Sequence, residues 1–147
     1  GGDRALGCVG EKPPKTMTTV DECKAAGNAA MAEADFVNAM KWYSQALALD
    51  PKKDGALYSN RSFAFLRLNL TSRALADAEE AVRRRPDWPK AHFRRAEALA
   101  QGDLHAEALQ SYVYGSRLDP TDEHLRRQCE QARQRDEEQR RGEKLLV

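Results

Sequence analysis

Two pairs of polar residues are spaced so that both members of each pair can act on one ligand. Lys24 precedes Asn28 by four residues, and Lys90 precedes Arg94 by four. Residues four apart lie on the same face of an α-helix, so each pair would present its donors side by side. Ammonium, guanidinium and amide groups together suit an anion with two adjacent carboxylates, as at a chain terminus whose last residue is acidic. A third segment contributes Asn60, a further amide donor.

Internal repetition indicates the elements that must position these donors. Three segments align with one another: residues 34–51, 69–86 and 103–120. Their final prolines recur at spacings of 35 and 34 residues, and an alanine within each segment keeps the same spacings. A period near 34 with two helical stretches per unit is typical of stacked helix–turn–helix repeats. In such a stack the first helices line a concave surface, where the five donors would converge and need an anionic partner.

Residue types along each unit favour close packing of two antiparallel helices. Small residues such as Gly27 and Ala39 let the helices approach, and the proline after each second helix prevents its continuation. Thr19 and Glu22 have the spacing of a capping box, so we expect the first helix to begin there. The segment after Pro120 has a short apolar face and is otherwise charged. It predicts a seventh helix that covers the last repeat, because terminal repeats need a polar outer surface.

The predicted organisation is one repeat domain with a segment on either side. Residues 1–17 are rich in Gly, Pro and Lys and are expected to be a flexible segment. The domain is expected to span 18–141, with Gly142 ending the last helix and residues 142–147 forming a tail. Within it we expect three repeats followed by a capping helix, at about 20–53, 54–88, 89–122 and 121–141.

Net charge argues against several classes of partner. The formal net charge is only +1, so no global field draws the chain to nucleic acid or to an anionic membrane. Arg83, Arg84 and Arg85 form a basic run, but the arginines after Pro120 alternate with acidic residues, as on a solvated helix. We therefore expect no nucleic-acid partner. No apolar stretch is long enough to span a membrane, and we expect a cytoplasmic location, with the nucleus as an alternative.

Cysteine and histidine positions do not suggest a metal or a cofactor. The three cysteines are far apart and form no Cys-x-x-Cys pair, which fits reduced thiols in an intracellular protein. The histidines His92, His105 and His124 share no ligand spacing, and we interpret His92 and Cys23 as packing residues. No Ser/His/Asp set, phosphate-binding glycine loop or paired carboxylate site is present. We therefore predict that this segment is not an enzyme and binds no cofactor.

Small and aromatic residues of each unit carry a resemblance to a known family. The matching positions of the three units are Gly27, Ala39, Tyr43, Ala46 and Pro51; Ser62, Ala74, Ala81 and Pro86; and Ala96, Ala108, Tyr112 and Pro120. These resemble the consensus of the tetratricopeptide repeat over about residues 20–120. The pattern departs at Thr71 and His105, where an aromatic residue such as Phe36 is usual. The resemblance implies an all-α fold of three repeats, that is six antiparallel helices, plus a C-terminal capping helix in a right-handed α-superhelix.

A narrower resemblance lies within the first helices. Three stretches, Lys24-Ala-Ala-Gly-Asn28, Leu57-Tyr-Ser-Asn60-Arg and Lys90-Ala-His-Phe-Arg94, resemble the dicarboxylate-clamp repeats of co-chaperones. Such repeats hold the C-terminal Glu-Glu-Val-Asp of the seventy- and ninety-kilodalton heat-shock chaperones. The resemblance implies an adaptor for those tails, and we expect a monomer because no metal site or disulfide is predicted. It also implies five clamp residues, which are Lys24, Asn28, Asn60, Lys90 and Arg94.

Neighbouring positions on the same helices are expected to add apolar contact and one further charge. These secondary groove contacts are Met31, Phe63, Leu66, Arg67 and Phe93. A competing interpretation remains open, in which the chain is a tetratricopeptide scaffold. Its groove would then bind a different peptide or an internal segment rather than a chaperone tail.

Overall fold

The computed structural model describes residues 19–146, which form seven α-helices joined by short turns. The helices are α1 (Val20–Ala32), α2 (Phe36–Leu49), α3 (Gly55–Arg67), α4 (Thr71–Arg84), α5 (Pro89–Gln101), α6 (His105–Leu118) and α7 (Glu123–Leu145). There is no strand within the described range. The flexible segment predicted for residues 1–17 lies outside it.

Four of the seven helices begin at a side chain that accepts a hydrogen bond from the first turn. The residues in this position are Thr19, Asp35, Asp54 and Asp122. The predicted start of α1 is confirmed, because the Thr19 hydroxyl oxygen accepts from the Glu22 amide at 3.2 Å and the hydroxyl donates to the Glu22 carboxylate at 2.7 Å. Each such cap satisfies a backbone donor that the helix itself leaves free.

The turn inside each helix pair has the same construction in all three repeats. Its middle residue lies in the left-handed region, with φ of 56° at Ala34, 58° at Asn69 and 62° at Asp103. The following amide donates to a carbonyl five residues earlier at 2.8–2.9 Å, as in a Schellman motif. The departures from the repeat consensus at Thr71 and His105 therefore leave this turn unchanged. Each turn reverses the chain and sets its two helices antiparallel.

The closest helix approach in the first repeat depends on Gly27. A Cβ atom at this position would lie 2.6 Å from the Tyr43 ring, which is nearer than packed atoms come. Tyr43 is buried at the centre of a core cluster that includes Leu47 and Leu57. Because Gly27 has no side chain, the Tyr43 ring reaches across α1 toward the surface that carries Asn28.

Arginines on α3 and α5 join the second helices of consecutive repeats in an equivalent way. Arg61 forms a two-pronged ion pair with Asp77 on α4, at 2.7 and 2.8 Å, and also donates to Ser44 on α2 at 3.2 Å. Arg95, which is 34 residues later, donates to Ser111 on α6 and lies 3.9 Å from a carboxylate oxygen of α4. Arginine suits this role because its planar fork can reach two partners at fixed angles.

Helix α7 packs against α6 through a narrow apolar face formed by Leu125, Cys129 and Ala132, all of which are buried. The expected end of this helix at Gly142 is wrong, since α7 continues to Leu145. An isolated glycine costs a helix only about 1 kcal/mol. Ion pairs four residues apart also support the helix on the approach to Gly142, and one of them joins Arg140 to Asp136 at 3.1 Å.

Candidate functional site

All five predicted clamp residues lie on the first helix of a repeat. Lys24 and Asn28 are on α1, Asn60 is on α3, and Lys90 and Arg94 are on α5. Helices α3 and α5 contact each other directly, although α4 lies between them in the chain. The first helices of the second and third repeats thus stand side by side, and we call the surface on which α1, α3 and α5 carry the five clamp residues the groove.

The pKa of Lys90 responds to charges on two of the first helices, α1 and α5. Partial burial lowers the pKa of Lys90, and the charges of Arg94 and of Lys24 lower it further. Glu97 acts in the opposite direction. Lys24 belongs to α1 and Lys90 to α5, so positive charges on two different first helices act on the Lys90 ammonium. An anion placed between them would relieve this repulsion.

The two lysines and the arginine differ in their partners. Within residues 19–146, neither Lys24 nor Lys90 has a carboxylate oxygen within 4.0 Å. The Lys90 ammonium instead lies 5.8 Å from the centre of the Trp88 ring. Arg94 is paired, because its Nη1 donates to Glu97 Oε1 at 2.6 Å. The groove therefore contains two ammonium groups whose charge no described side chain balances at contact distance.

The two asparagines differ in whether their side-chain amides make a hydrogen bond within the described part of the chain. The Tyr43 hydroxyl donates to Asn28 Oδ1 at 2.7 Å. This bond fixes the amide so that its NH₂ group remains available to donate to a ligand. The Asn60 side chain is half-buried and makes no hydrogen bond to any other described residue. Burial raises the pKa of Tyr43 to about 12, so its hydroxyl keeps its proton and stays a donor at neutral pH.

Arg94 is held against the groove floor by several contacts. Its guanidinium carbon lies 4.5 Å from the centre of the Phe63 ring and 5.7 Å from that of Phe93. The side chain is only 15% exposed, and its Nε is buried without a hydrogen-bond partner in the described part of the chain. Burial raises the pKa of its partner Glu97, while the charge of Arg94 opposes that shift.

Two of the five expected secondary contacts lie beside a clamp residue, a third packs against the first-repeat core one turn from a clamp residue, and two lie elsewhere. Phe63 and Phe93 flank Arg94, and Met31 is half-buried one turn beyond Asn28. Leu66 is 6% exposed and packs in the core with Phe65 and Ala74. Arg67 lies at the other end of α3, where its guanidinium carbon is 4.8 Å from the centre of the Phe36 ring. The expectation that Leu66 and Arg67 contact a groove ligand is not supported by these positions.

Helix α7 also contributes to the groove, which sequence reasoning missed. A cavity of about 510 Å³ lies between the start of α5 and the start of α7, and its lining includes Lys90, Arg94, His124 and Leu125. The His124 ring lies 5.4 Å from the Phe93 ring, centre to centre.

Sequence reasoning also missed Glu97. The repeat alignment could have identified Glu97, because this residue occupies the position that Asn28 holds in the first repeat and Phe63 in the second, at spacings of 35 and 34 residues.

The remaining histidine and cysteine positions have structural surroundings. His92 is buried, its Nε2 donates to the Pro86 carbonyl at 2.7 Å, and its ring packs at a tilt against the Tyr114 ring, with the centres 4.5 Å apart. Cys23 is fully buried in the core of the first repeat.

Residues 19–146 hold no group of three or more His, Cys, Asp or Glu side chains placed to bind a metal ion. None of the seven helices is long and apolar enough to cross a membrane.

Comparison of the fold with solved structures identifies its family. The Sgt2 TPR domain from Aspergillus fumigatus superposes with a TM-score of 0.78 at 28% identity, covering 88% of this chain and 88% of that one. No protein-family model matches the chain. The repeat pattern, the seven helices and this superposition nevertheless agree. The chain contains a tetratricopeptide-repeat (TPR) domain. The predicted class, three repeats and a capping helix in an α-superhelix, is confirmed.

Two further proteins similar to this TPR domain have names that mention heat-shock chaperones or a peptide of one. The Hsp70-Hsp90 organizing protein of Triticum aestivum is 45% identical over 107 residues, which are 72% of this chain and 18% of that protein. The myosin chaperone UNC-45 from C. elegans, solved in complex with a Hsp90 peptide, superposes with a TM-score of 0.76 at 28% identity. That match covers 82% of this chain and 14% of UNC-45. The chain thus spans less than a fifth of either relative.

Proposed function

We propose that the groove of this TPR domain binds the acidic C-terminal tail of a seventy- or ninety-kilodalton heat-shock chaperone, of the Glu-Glu-Val-Asp type. The terminal carboxylate and the side-chain carboxylate of the last residue would lie among the clamp residues. Lys24, Lys90 and Arg94 would supply positive charge, and the amides of Asn28 and Asn60 would donate hydrogen bonds.

The observation that supports this proposal is that three cations lie on the first helices, that the charges of Lys24 and Arg94 lower the pKa of Lys90, and that the two lysines have no carboxylate at contact distance among residues 19–146. Like charges that act on one another are costly unless an anion joins them. The donors come from three helices, so one small anion cannot satisfy them all, whereas two linked carboxylates can. The names of the wheat relative and of the UNC-45 complex support a chaperone tail as the source of those carboxylates.

The expected affinity is moderate. A short extended tail loses conformational freedom when it binds, and that loss offsets part of the favourable contacts. A dissociation constant in the micromolar range, about −8 kcal/mol, is the natural outcome. We further propose that the domain acts as a monomeric cytoplasmic adaptor with no catalytic role of its own.

A pair of peptides tests the proposal directly. Both end in Glu-Glu-Val-Asp, one with a free C-terminus and the other amidated, and each is titrated into the domain by isothermal calorimetry. Only a clamp on the terminal carboxylate requires the free end, so we expect the free peptide to bind and the amidated one to lose most of its affinity. Equal binding of the two peptides, or binding of neither, would favour the alternative of a scaffold groove with a different occupant.

A further inference from the structure

Glu97 places a carboxylate among the clamp cations. It lies on α5, one turn after Arg94, and its Oε1 accepts from Arg94 Nη1 at 2.6 Å. The two side chains are 26% and 15% exposed, so water screens their attraction only in part. The equivalent positions of the first two repeats hold Asn28 and Phe63, which carry no charge. The groove thus has an internal acid on its α5 side and none at the matching places on α1 and α3.

The geometry of Arg94 shows what this acid occupies. A guanidinium offers a side-on fork through Nε and one Nη, and an end-on face through its two Nη atoms. Glu97 holds Nη1, while Nε is buried and has no partner within residues 19–146. Arg61 differs from Arg94, because Asp77 accepts hydrogen bonds from both atoms of its side-on fork, Nε and Nη2. Arg94 therefore uses Nη1 for Glu97 and has its Nε buried, so a second carboxylate can bind it through Nη2 alone, and two-pronged end-on binding at Nη1 and Nη2 requires the Glu97 contact to loosen.

We propose that Glu97 is an internal competitor for Arg94, so that an acidic tail must displace or share the Arg94–Glu97 ion pair in order to bind. This inference rests on the proposed function, since it assigns a specificity-determining residue to the same groove. Glu97 would lower the affinity for every acidic tail. It would also favour tails that bring more than one carboxylate, because a single carboxylate merely exchanges one ion pair for another.

The first experiment compares the parent domain with the E97Q variant in titrations of the free Glu-Glu-Val-Asp peptide. Glutamine keeps the size of the side chain and removes the charge that competes for Arg94. We expect binding to tighten by roughly five- to tenfold. The matched control is E79Q, which removes one negative charge from α4 at a residue 3.9 Å from Arg95. E79Q should bind as the parent does. An E97Q variant whose affinity equals that of the parent would overturn the proposal.

A structure of the parent domain with the free peptide bound separates competition from simple repulsion. If Glu97 acts through Arg94, the hydrogen bond between Arg94 Nη1 and Glu97 Oε1 should be broken in the complex or shared with a carboxylate of the tail. An Arg94–Glu97 ion pair that is unchanged beside a tail that does not touch Arg94 would overturn the proposal. E97D provides a second variant that keeps the charge and so does not depend on E97Q folding. Its shorter side chain withdraws from Nη1, and we expect tightening smaller than that of E97Q.

The outcome for the proposed function is read separately from the parent domain alone. If the parent distinguishes the free peptide from the amidated one and E97Q gains nothing, the tail-binding function stands and the role of Glu97 is wrong. If neither the parent nor E97Q binds the free peptide, the tail-binding function is wrong and the competition fails with it.

Discussion

The two ends of the clamp, on α1 and on α5, differ in what holds their side chains. On α1 the Asn28 amide is fixed from below by the buried hydroxyl of Tyr43, and Lys24 has no carboxylate within 4.0 Å in the described range. On α5, Arg94 is held by Glu97 and by two aromatic rings. At the α1 end the core beneath holds the Asn28 amide ready for an anion, whereas at the α5 end Arg94 is already paired with a carboxylate of its own helix.

This difference suggests that the first helices of two repeats, although they are equivalent elements, contribute to ligand binding in two different ways. Fixing a donor through a core residue costs nothing when the ligand arrives, so the α1 end should contribute affinity. Replacing an existing ion pair gains less, so the α5 end should contribute selection among anions. The substitutions that follow test this division, beginning with the largest expected effect.

Lys24→Ala should weaken tail binding by ~2–5 kcal/mol, because it removes a cation from a partly desolvated carboxylate. The free energy of unfolding should stay nearly unchanged, since Lys24 has no carboxylate at contact distance within residues 19–146. Calorimetric titration and thermal melts measure the two quantities. The matched control is Lys41→Ala, an exposed lysine on α2 whose loss changes the net charge equally. If the Lys24 variant binds as the parent does, the α1 end is not part of the site.

Arg94→Ala should instead reduce both binding and stability. Removing the guanidinium leaves the Glu97 carboxylate without its 2.6 Å partner in a mostly buried position, and an unpaired buried polar group costs ~1–3 kcal/mol. Urea denaturation of the Arg94 and Lys24 variants measures the contrast. Equal stability of the two would show that the α5 end is no more internally paired than the α1 end.

The repeat architecture could be predicted from the sequence because it depends on features that recur. Small residues at the helix crossings, a proline after each second helix and a constant period are each sufficient to locate a unit. The placement of Lys24, Asn60 and Lys90 on the first helices followed from the same period. The end of α7 could not be predicted from the period. Ion pairs near Gly142 stabilise the helix by more than the glycine destabilises it, so the helix continues to Leu145.

Details of the groove were less predictable because they depend on helix rotation and on contacts between helices. Leu66 follows Phe63 by three residues, which turns its side chain about 60° around the helix and moves it from the groove into the core. Glu97 was missed since a glutamate on a helix is usually solvated. The contribution of His124 required the position of α7 on the third repeat, which no spacing within the chain defines.

Gly27→Ala tests whether the core beneath the α1 end prepares the site. The added methyl would lie 2.6 Å from the Tyr43 ring, and forcing a ring out of a packed core costs ~1–3 kcal/mol. Alanine regains up to about 1 kcal/mol of helix propensity, so we expect a net loss of about 1–2 kcal/mol in the free energy of unfolding. Gly142→Ala is the matched control, with no neighbouring atom within 4 Å, and should be neutral or slightly stabilising. A Gly27 variant as stable as the parent would mean that the ring can shift freely.

Tyr43→Phe isolates the single hydrogen bond that fixes Asn28, and we expect its effect to be the smallest. The ring and its packing remain, so the stability change should be only that of one hydrogen bond, ~0.5–1.5 kcal/mol. Tail binding should weaken by a similar amount, because the Asn28 amide becomes free to rotate and must be ordered again by the ligand.

The control for Tyr43→Phe is Tyr112→Phe, the equivalent residue of the third repeat. Its hydroxyl makes no hydrogen bond to a described side chain or carbonyl, so its loss should leave tail binding unchanged. Titration of both variants with the free Glu-Glu-Val-Asp peptide decides between two views of the α1 end. If Tyr43→Phe weakens binding and Tyr112→Phe does not, the donor on α1 is prepared by the core. If both variants bind as the parent does, Asn28 needs no support, and the contrast between the two ends rests on Glu97 alone.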